Sequence, residues 1–173
     1  MDLEPFCSVD ETRITINTPF VFNGWKYATD GRICVRILTD EPDDSNEPYK
    51  RPDASALFKG FNVDGLESFD IPTLDGAIQK ECIHCGGSGE QTCDMGHDHE
   101  CPECDGDGYY EEWPKKEIGD QIFSERYLSK IINLPGLKFF ARSADVETLK
   151  PAFFTFNEGG QGLLMPIKKE ANR

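Results

Sequence analysis

Residues 13 to 38, RITINTPFVFNGWKYATDGRICVRIL, set Ile, Val, Phe, Trp and Tyr in short alternating runs, the period of half-buried strands. Asn23-Gly24 and Thr29-Asp30-Gly31 interrupt the runs with residues that accept the positive φ angles of tight turns. Strands are predicted near residues 12–17, 19–28 and 32–38. After Leu38 the pattern dissolves. In TDEPDDSNEPYKRPD, Pro42, Pro48 and Pro52 remove backbone donors among many like charges, so residues 40–80 read as an acidic linker. Within it DASALFKGF suits a short helix capped by Asp53 and ended by Gly60.

Regular order returns after residue 112. KKEIGDQIF reads as one strand, and Ser124 is placed to cap a helix over ERYLSKIIN that stops at Pro135-Gly136. Tyr127, Leu128, Ile131, Ile132 and Leu134 recur at helical spacing and define its buried face. LKFFAR, AFFTFN and GLLMPIK read as three further strands. Asn157 to Gly160 supply a turn, and Gly159-Gly160-Gln161-Gly162 lacks the lysine of a phosphate-gripping loop and reads as a hairpin turn. Trp25 and Trp113 are expected as core anchors. The fold class is α+β: an antiparallel sheet with one or two helices, built from residues 1–39 and 113–173, with a small module at 81–112 inserted between the halves.

With 173 residues the chain can bury one sizeable core. Its net charge of −14 matters once it is located. Residues 39–112 hold 20 Asp and Glu against 4 Lys and Arg, so the acidity belongs to the middle segment and the flanks are nearly balanced. Electrostatics disfavours nucleic-acid phosphate on that segment and favours a basic surface, confining nucleic-acid contact to the surface outside the insert. The start MDLEPFCSVDETR has no cationic stretch before an apolar run, and no segment approaches the roughly 20 apolar residues of a membrane helix. A cytoplasmic protein without membrane contact is expected. Seven cysteines, an odd number, argue against a disulfide scaffold.

Four of those cysteines lie in two copies of one pattern, CIHCGGSG at 82–89 and CPECDGDG at 101–108. A Cys-x-x-Cys turn folds two sulfurs to one side, and two such knuckles facing each other offer a tetrahedron of thiolates. Cys82, Cys85, Cys101 and Cys104 are therefore predicted to hold one structural Zn2+, in a ribbon-like module. Four sulfurs leave no position for water, which argues for structure over hydrolysis. Gly87, Gly89, Gly106 and Gly108 let the chain curl around the ion and aim amides at sulfur. Cys93, His97 and His99 lie between the knuckles with loose spacing; they read as a solvated loop, with a second metal or a replaced ligand as the alternative. CDGDGYYEE lacks the third oxygen position and frame of a calcium loop.

The repeated Cys-x-x-Cys-x-Gly-x-Gly resembles the cysteine-rich region of type I DnaJ-type chaperones, over roughly residues 80–110. Those carry four copies and a His-Pro-Asp triplet in the J-domain; this chain has two copies and no such triplet, so the resemblance implies the metal module and not chaperone activity. The flanks carry a second resemblance. VFNGWKYATDGRICVRI, chiefly at Ala28 to Arg32, is similar to the strand-turn-strand of bacterial DNA polymerase sliding clamps. KEIGDQIFSERYLSKIINLPGLKFFAR with GLLMPIK resembles the closing half of a clamp domain, in which a strand leads into a helix and the last strand ends in Met-Pro. In clamps that turn and that strand, from neighbouring domains, form the pocket for partner peptides. The resemblance implies partner binding at Thr29, Gly31, Arg32, Cys34, Leu163, Met165 and Pro166. It also implies DNA-facing cations on the helix, where Arg126, Lys130 and Asn133 fall at i, i+4 and i+7. One chain holds a single clamp domain, so a ring would require a homo-oligomer.

These readings imply a non-catalytic, zinc-containing, clamp-like binding protein acting in DNA replication or a related nucleic-acid process through a protein partner, suited to a bacteriophage or bacterial accessory factor. No nucleophile, base and orienting acid come together in the sequence: all three histidines lie in the acidic segment. An acidic inhibitor that imitates nucleic acid in a host protein's basic groove is the second reading. A thiol oxidoreductase using the Cys-x-x-Cys pairs ranks last, because no strand-helix context precedes either pair.

Overall fold

The computed structural model describes residues 1–44, 50–141, 150–157 and 159–168. The chain divides into two compact units, residues 1–74 with those from 115 onward, and residues 75–114. In chain order, β1 (Phe20–Phe22), β2 (Trp25–Thr29) and β3 (Ile33–Leu38) belong to the first unit. The second holds β4 (Ile78–Glu81), β5 (Glu90–Thr92), β6 (Asp98–Glu100) and β7 (Tyr109–Glu112). Then β8 (Lys115–Ile118), β9 (Gln121–Ser124), α1 (Glu125–Ile131), β10 (Lys138–Phe140), β11 (Ala152–Phe156) and β12 (Gly160–Leu164) complete the first. The result is a mostly antiparallel, α+β architecture. Among the described residues no helix is long and apolar enough to cross a membrane.

The first unit is organised by a six-stranded antiparallel sheet in the order β1-β2-β3-β12-β11-β10. Asn23 and Gly24 both take positive φ, 51° and 71°, as a two-residue hairpin turn between β1 and β2 demands. Both faces of the sheet are buried. Ala28, Val35, Phe139, Phe154 and Leu164 face α1, through Leu128 and Ile131, together with Phe123 and the N-terminal Leu3 and Phe6. Their alternates Tyr27, Cys34, Phe140, Phe153 and Leu163 pack beneath Ala54 and Phe58. A strand covered on both sides needs apolar residues at every position, which accounts for the run AFFTF in β11.

Residues 50–74, expected as linker, are therefore a covering layer. Asp53 caps a 3-10 turn over Ala54–Phe58, its side chain accepting from the Ser55 amide, and Phe58 is buried in the sheet's second face. Phe69, Ile71 and Leu74 pack against the first face. Residues 45–49 lie outside the described residues. The expected strand at 12–17 is a series of turns: the Asp10 carboxylate accepts from the Thr12 amide and hydroxyl, and the Ile16 amide bonds back to the Arg13 carbonyl. A short polar side chain here outcompetes the ladder that the Ile-Thr-Ile pattern suits.

Three other expectations shift. KKEIGDQIF is a hairpin and not one strand, since Gly119 turns the chain at φ 58° and β8 pairs with β9. The helix ends at Ile131, which puts Asn133 on the following turn rather than on a face with Arg126 and Lys130. Its N-cap is Ser124 as read, the hydroxyl accepting from the Arg126 amide, and fully buried Glu125 meets Lys116 of β8 at 3.2 Å. Trp25 and Trp113 are both half-buried, and Trp25 packs against the core of the sheet's second face while Trp113 does not join either core cluster among the described residues. Trp25 forms one side of a sandwich in which the Arg36 guanidinium lies 4.1 Å from its ring and 4.0 Å from that of Phe58 while donating to Gln161 Oε1.

The glycines read as a turn at 159–162 are divided between turn and strand. Gly160 and Gly162 belong to β12, opposite Phe156 and Phe154 of β11. A Cβ on either would stand 2.0 Å from the facing ring. The rings occupy the space that side chains would need. Both sheet edges are also stoppered. On β1 the outward amide of Val21 donates to the Asp44 carboxylate at 2.8 Å and its carbonyl accepts from the Asp44 amide at 3.1 Å. On β10, Phe69 bridges Phe139 and donates to its carbonyl at 2.7 Å. Side chain and loop take the places a further strand would fill.

Two substitutions test this packing by urea denaturation. Gly162→Ala should lower the unfolding free energy by about 3 kcal/mol, as overpacking against an immobile ring does. Tyr27→Phe should cost less than about 0.5 kcal/mol, because the buried Tyr27 hydroxyl has no hydrogen-bond partner among the described residues to lose; a larger loss would contradict the environment described.

Candidate metal centre

Strands β4, β6 and β7 of the second unit are exposed along their whole length. Such a segment has no apolar face to bury. Its buried residues are Cys82, Cys101, Cys104, Gly89 and Gly108, four sulfurs' worth of cluster less the half-buried Cys85, plus two knuckle glycines. The four Sγ atoms all lie within 4.8 Å of one another, with Cys82 to Cys101 at 3.9 Å and Cys85 to Cys104 at 3.8 Å. An ion bound tetrahedrally at 2.3 Å from each sulfur sets neighbouring sulfurs roughly 3.8 Å apart. The cluster is thus shaped to hold a metal ion.

The doubled motif folds into two knuckles with matching backbone turns and amide-to-sulfur bonds. Gly87 and Gly106 amides bond back to the carbonyls of Cys82 and Cys101, at 3.3 and 3.2 Å. Gly89 and Gly108 amides donate to the sulfurs of Cys85 and Cys104, at 3.3 and 3.2 Å. The knuckles then grip each other: Cys82 donates to the Gly108 carbonyl and Cys101 to the Gly89 carbonyl, both at 2.8 Å. This exchange is why the last glycine of each motif is needed. Both take positive φ, and a Cβ on Gly89 would stand 2.1 Å from the Gly106 carbonyl oxygen, one on Gly108 2.3 Å from that of Gly87. The Gln91 side-chain amide adds a third donor to sulfur, 3.4 Å from Cys101.

These donors set the acidities. Burial pushes the Cys85 thiol up, but the Gly89 amide and the neighbouring sulfurs bring it down to about 7. Burial dominates at Cys104 and, with the adjacent sulfurs, raises it to about 12. Crowded thiols without a counter-ion lose protons one at a time; a divalent cation removes that penalty. Cys7 and Cys34, in the first unit, are raised by burial to about 11 and about 12 and stay protonated at neutral pH. Cys93 is half-buried on the β5–β6 hairpin loop, where backbone hydrogen bonds from His97 and Met95 lower it. Cys93, His97 and His99 are not brought together with other ligating groups; among the described residues Cys82, Cys85, Cys101 and Cys104 form the one close group of such side chains.

The residues drawn from the clamp resemblance lie in the first unit. Thr29, Gly31, Arg32, Cys34, Leu163 and Met165 line one apolar depression of about 140 Å³, completed by Ile33, Leu57 and Pro151. Pro166 is buried beside them and outside the lining. The β3–β12 ladder brings the two motifs together, Cys34 standing opposite Leu163, and the Met165 amide donates to the Arg32 carbonyl at 2.9 Å. Arg126 and Lys130 sit elsewhere, on the wall of a larger pocket of about 530 Å³ shared with Arg13, Arg32, Asp30 and Tyr127. Leu57, Pro151 and Arg13 were not legible as site residues, since each comes from a segment whose place against the turn depends on tertiary packing. No family model, curated protein or solved structure matches the chain.

Iodoacetamide mapping at neutral pH should separate three classes of thiol. In the metal-loaded chain Cys93 labels and the four cluster cysteines do not. Chelation should expose those four, the unit having no other core, while Cys7 and Cys34 label only after denaturation. Equal labelling of the cluster with and without chelator would contradict the metal centre.

Proposed function

We propose that the chain is a zinc-stabilised, clamp-like binding protein that serves DNA replication or a related nucleic-acid process by gripping a protein partner, without catalysis. Four thiolates in a tetrahedral array suit zinc, and with every position taken by sulfur the ion would be structural. Cys82, Cys85, Cys101 and Cys104 would hold it, its contribution being the folding free energy that the exposed strands lack.

The observation that carries the clamp-like reading is the convergence of the strand-turn-strand and Met-Pro motifs on one apolar depression, inside one domain. A depression of that size takes one or two apolar side chains of a peptide, with Thr29 and the β2–β3 turn at its rim. The stoppered edges bear on assembly. A ring made by continuing the sheet would require Asp44 or Phe69 to leave, so copies would meet through other surfaces.

One observation favours the acidic-inhibitor reading. Residues 75–114 contain 11 Asp and Glu against one Lys, nearly all on exposed positions. Deleting that unit separates the two readings, because an inhibitor acting through it loses its target while a peptide-gripping domain keeps its own.

Metal analysis of the purified chain should find one zinc per copy. In titration calorimetry, a peptide bearing the apolar motif with which replication proteins grip sliding clamps should bind. Met165→Asp should weaken it by about tenfold or more, as placing a charge in an apolar contact does. A metal-free chain, or a peptide affinity indifferent to Met165, would overturn the corresponding half of the proposal.

A further inference from the structure

The apolar depression and the larger pocket share a wall. Gly31 and Arg32, on the turn between β2 and β3, line both, so the two cavities adjoin across that turn. Their chemistries differ. The larger cavity presents four cations, Arg13, Arg32, Arg126 and Lys130, against Asp10 and Asp30. This local excess of positive charge stands in a chain of net charge −14.

The two carboxylates are already engaged in building the walls. Asp30 Oδ1 accepts from the Arg32 and Ile33 amides at 2.9 and 3.1 Å, and Oδ2 stands 3.6 Å from Lys130. Asp10 accepts from the amide and hydroxyl of Thr12. Arg13 is anchored by a 2.6 Å hydrogen bond to the Asp30 carbonyl and lies across Gly31, where a Cβ would meet its Nη2 at 2.8 Å. The bare glycine lets the guanidinium rest on the turn. Arg32 and Arg126 are exposed, and neither guanidinium has an ion pair among the described residues. Tyr127 lines the same pocket, its hydroxyl pKa raised by burial and then by Asp30.

We infer that the two cavities form one composite site for a peptide whose apolar anchor seats between Leu163, Met165 and Leu57 and whose acidic flank reaches Arg32 and Arg126. This rests on the depression being a peptide pocket and adds the charge of the partner. Uncompensated guanidinium groups beside an apolar seat favour carboxylates presented in register with an apolar residue, and penalise a basic partner. The preference is electrostatic and weakens with added salt.

A random peptide library selected on the immobilised full-length chain tests this without a known partner. Enriched sequences should carry an apolar residue flanked by Asp or Glu. A synthetic peptide of the enriched sequence should bind Arg32→Gln/Arg126→Gln about tenfold more weakly than the unaltered chain, and the affinity ratio should shrink toward unity in high salt. Both arginines are exposed, and an unchanged circular dichroism spectrum confirms folding of the variant. Enrichment of apolar peptides with no acidic bias overturns the inference and leaves the peptide pocket standing; no enrichment overturns both. Displacement of the acidic peptide by inorganic phosphate or a mononucleotide at equal concentration assigns the cations to phosphate and overturns it. So does light scattering that shows self-association abolished by the double variant, which makes a second copy the occupant.

Discussion

The ladder between β3 and β12 is the contact on which the first unit depends. It joins strands from opposite ends of the chain, and the Arg36 and Gln161 side chains that bond across it are 125 residues apart in sequence. Closing so long a loop costs conformational entropy that grows only slowly with length, so a large insertion between the halves is tolerated once the ladder forms. The ladder also creates both cavities' common wall, because it sets the turn after β2 beside the residues that follow β12. Register matters here: a slip by one residue would exchange the sheet's two buried faces and remove Leu163 from the depression.

The second unit obeys a different constraint. It has no apolar layer, and its interior is sulfur and backbone. Two copies of one short motif solve this by reciprocity, each knuckle satisfying the other's amides through the carbonyl of its final glycine.

Much of this was legible in the sequence where local chemistry decides the outcome. Asn23-Gly24 specified its turn, Ser124 its cap, and the paired Cys-x-x-Cys its sulfur cluster, because each depends on residues within a few positions. The convergence of Thr29 and Met165 is set by the pairing of β3 with β12, which neither periodicity nor the resemblance gave. Failures came where tertiary context or an unread turn decided. Gly119-Asp120 turns KKEIGDQIF into a hairpin, though its residues suit an unbroken strand. Residues 50–74 looked like linker because their apolar residues are sparse and follow a proline-rich acidic run; what recruits them is the sheet's uncovered second face. Gly160 and Gly162 resembled turn residues, and only the facing phenylalanines explain them as strand.

The carboxylate of Asp44 standing in for a neighbouring strand has a bearing on proteostasis. A sheet as rich in phenylalanine as this one, with an open border, would template the stacking of further chains into cross-β fibres. Closing one border with an anion and the other with a loop makes the native sheet a poor seed for such fibres.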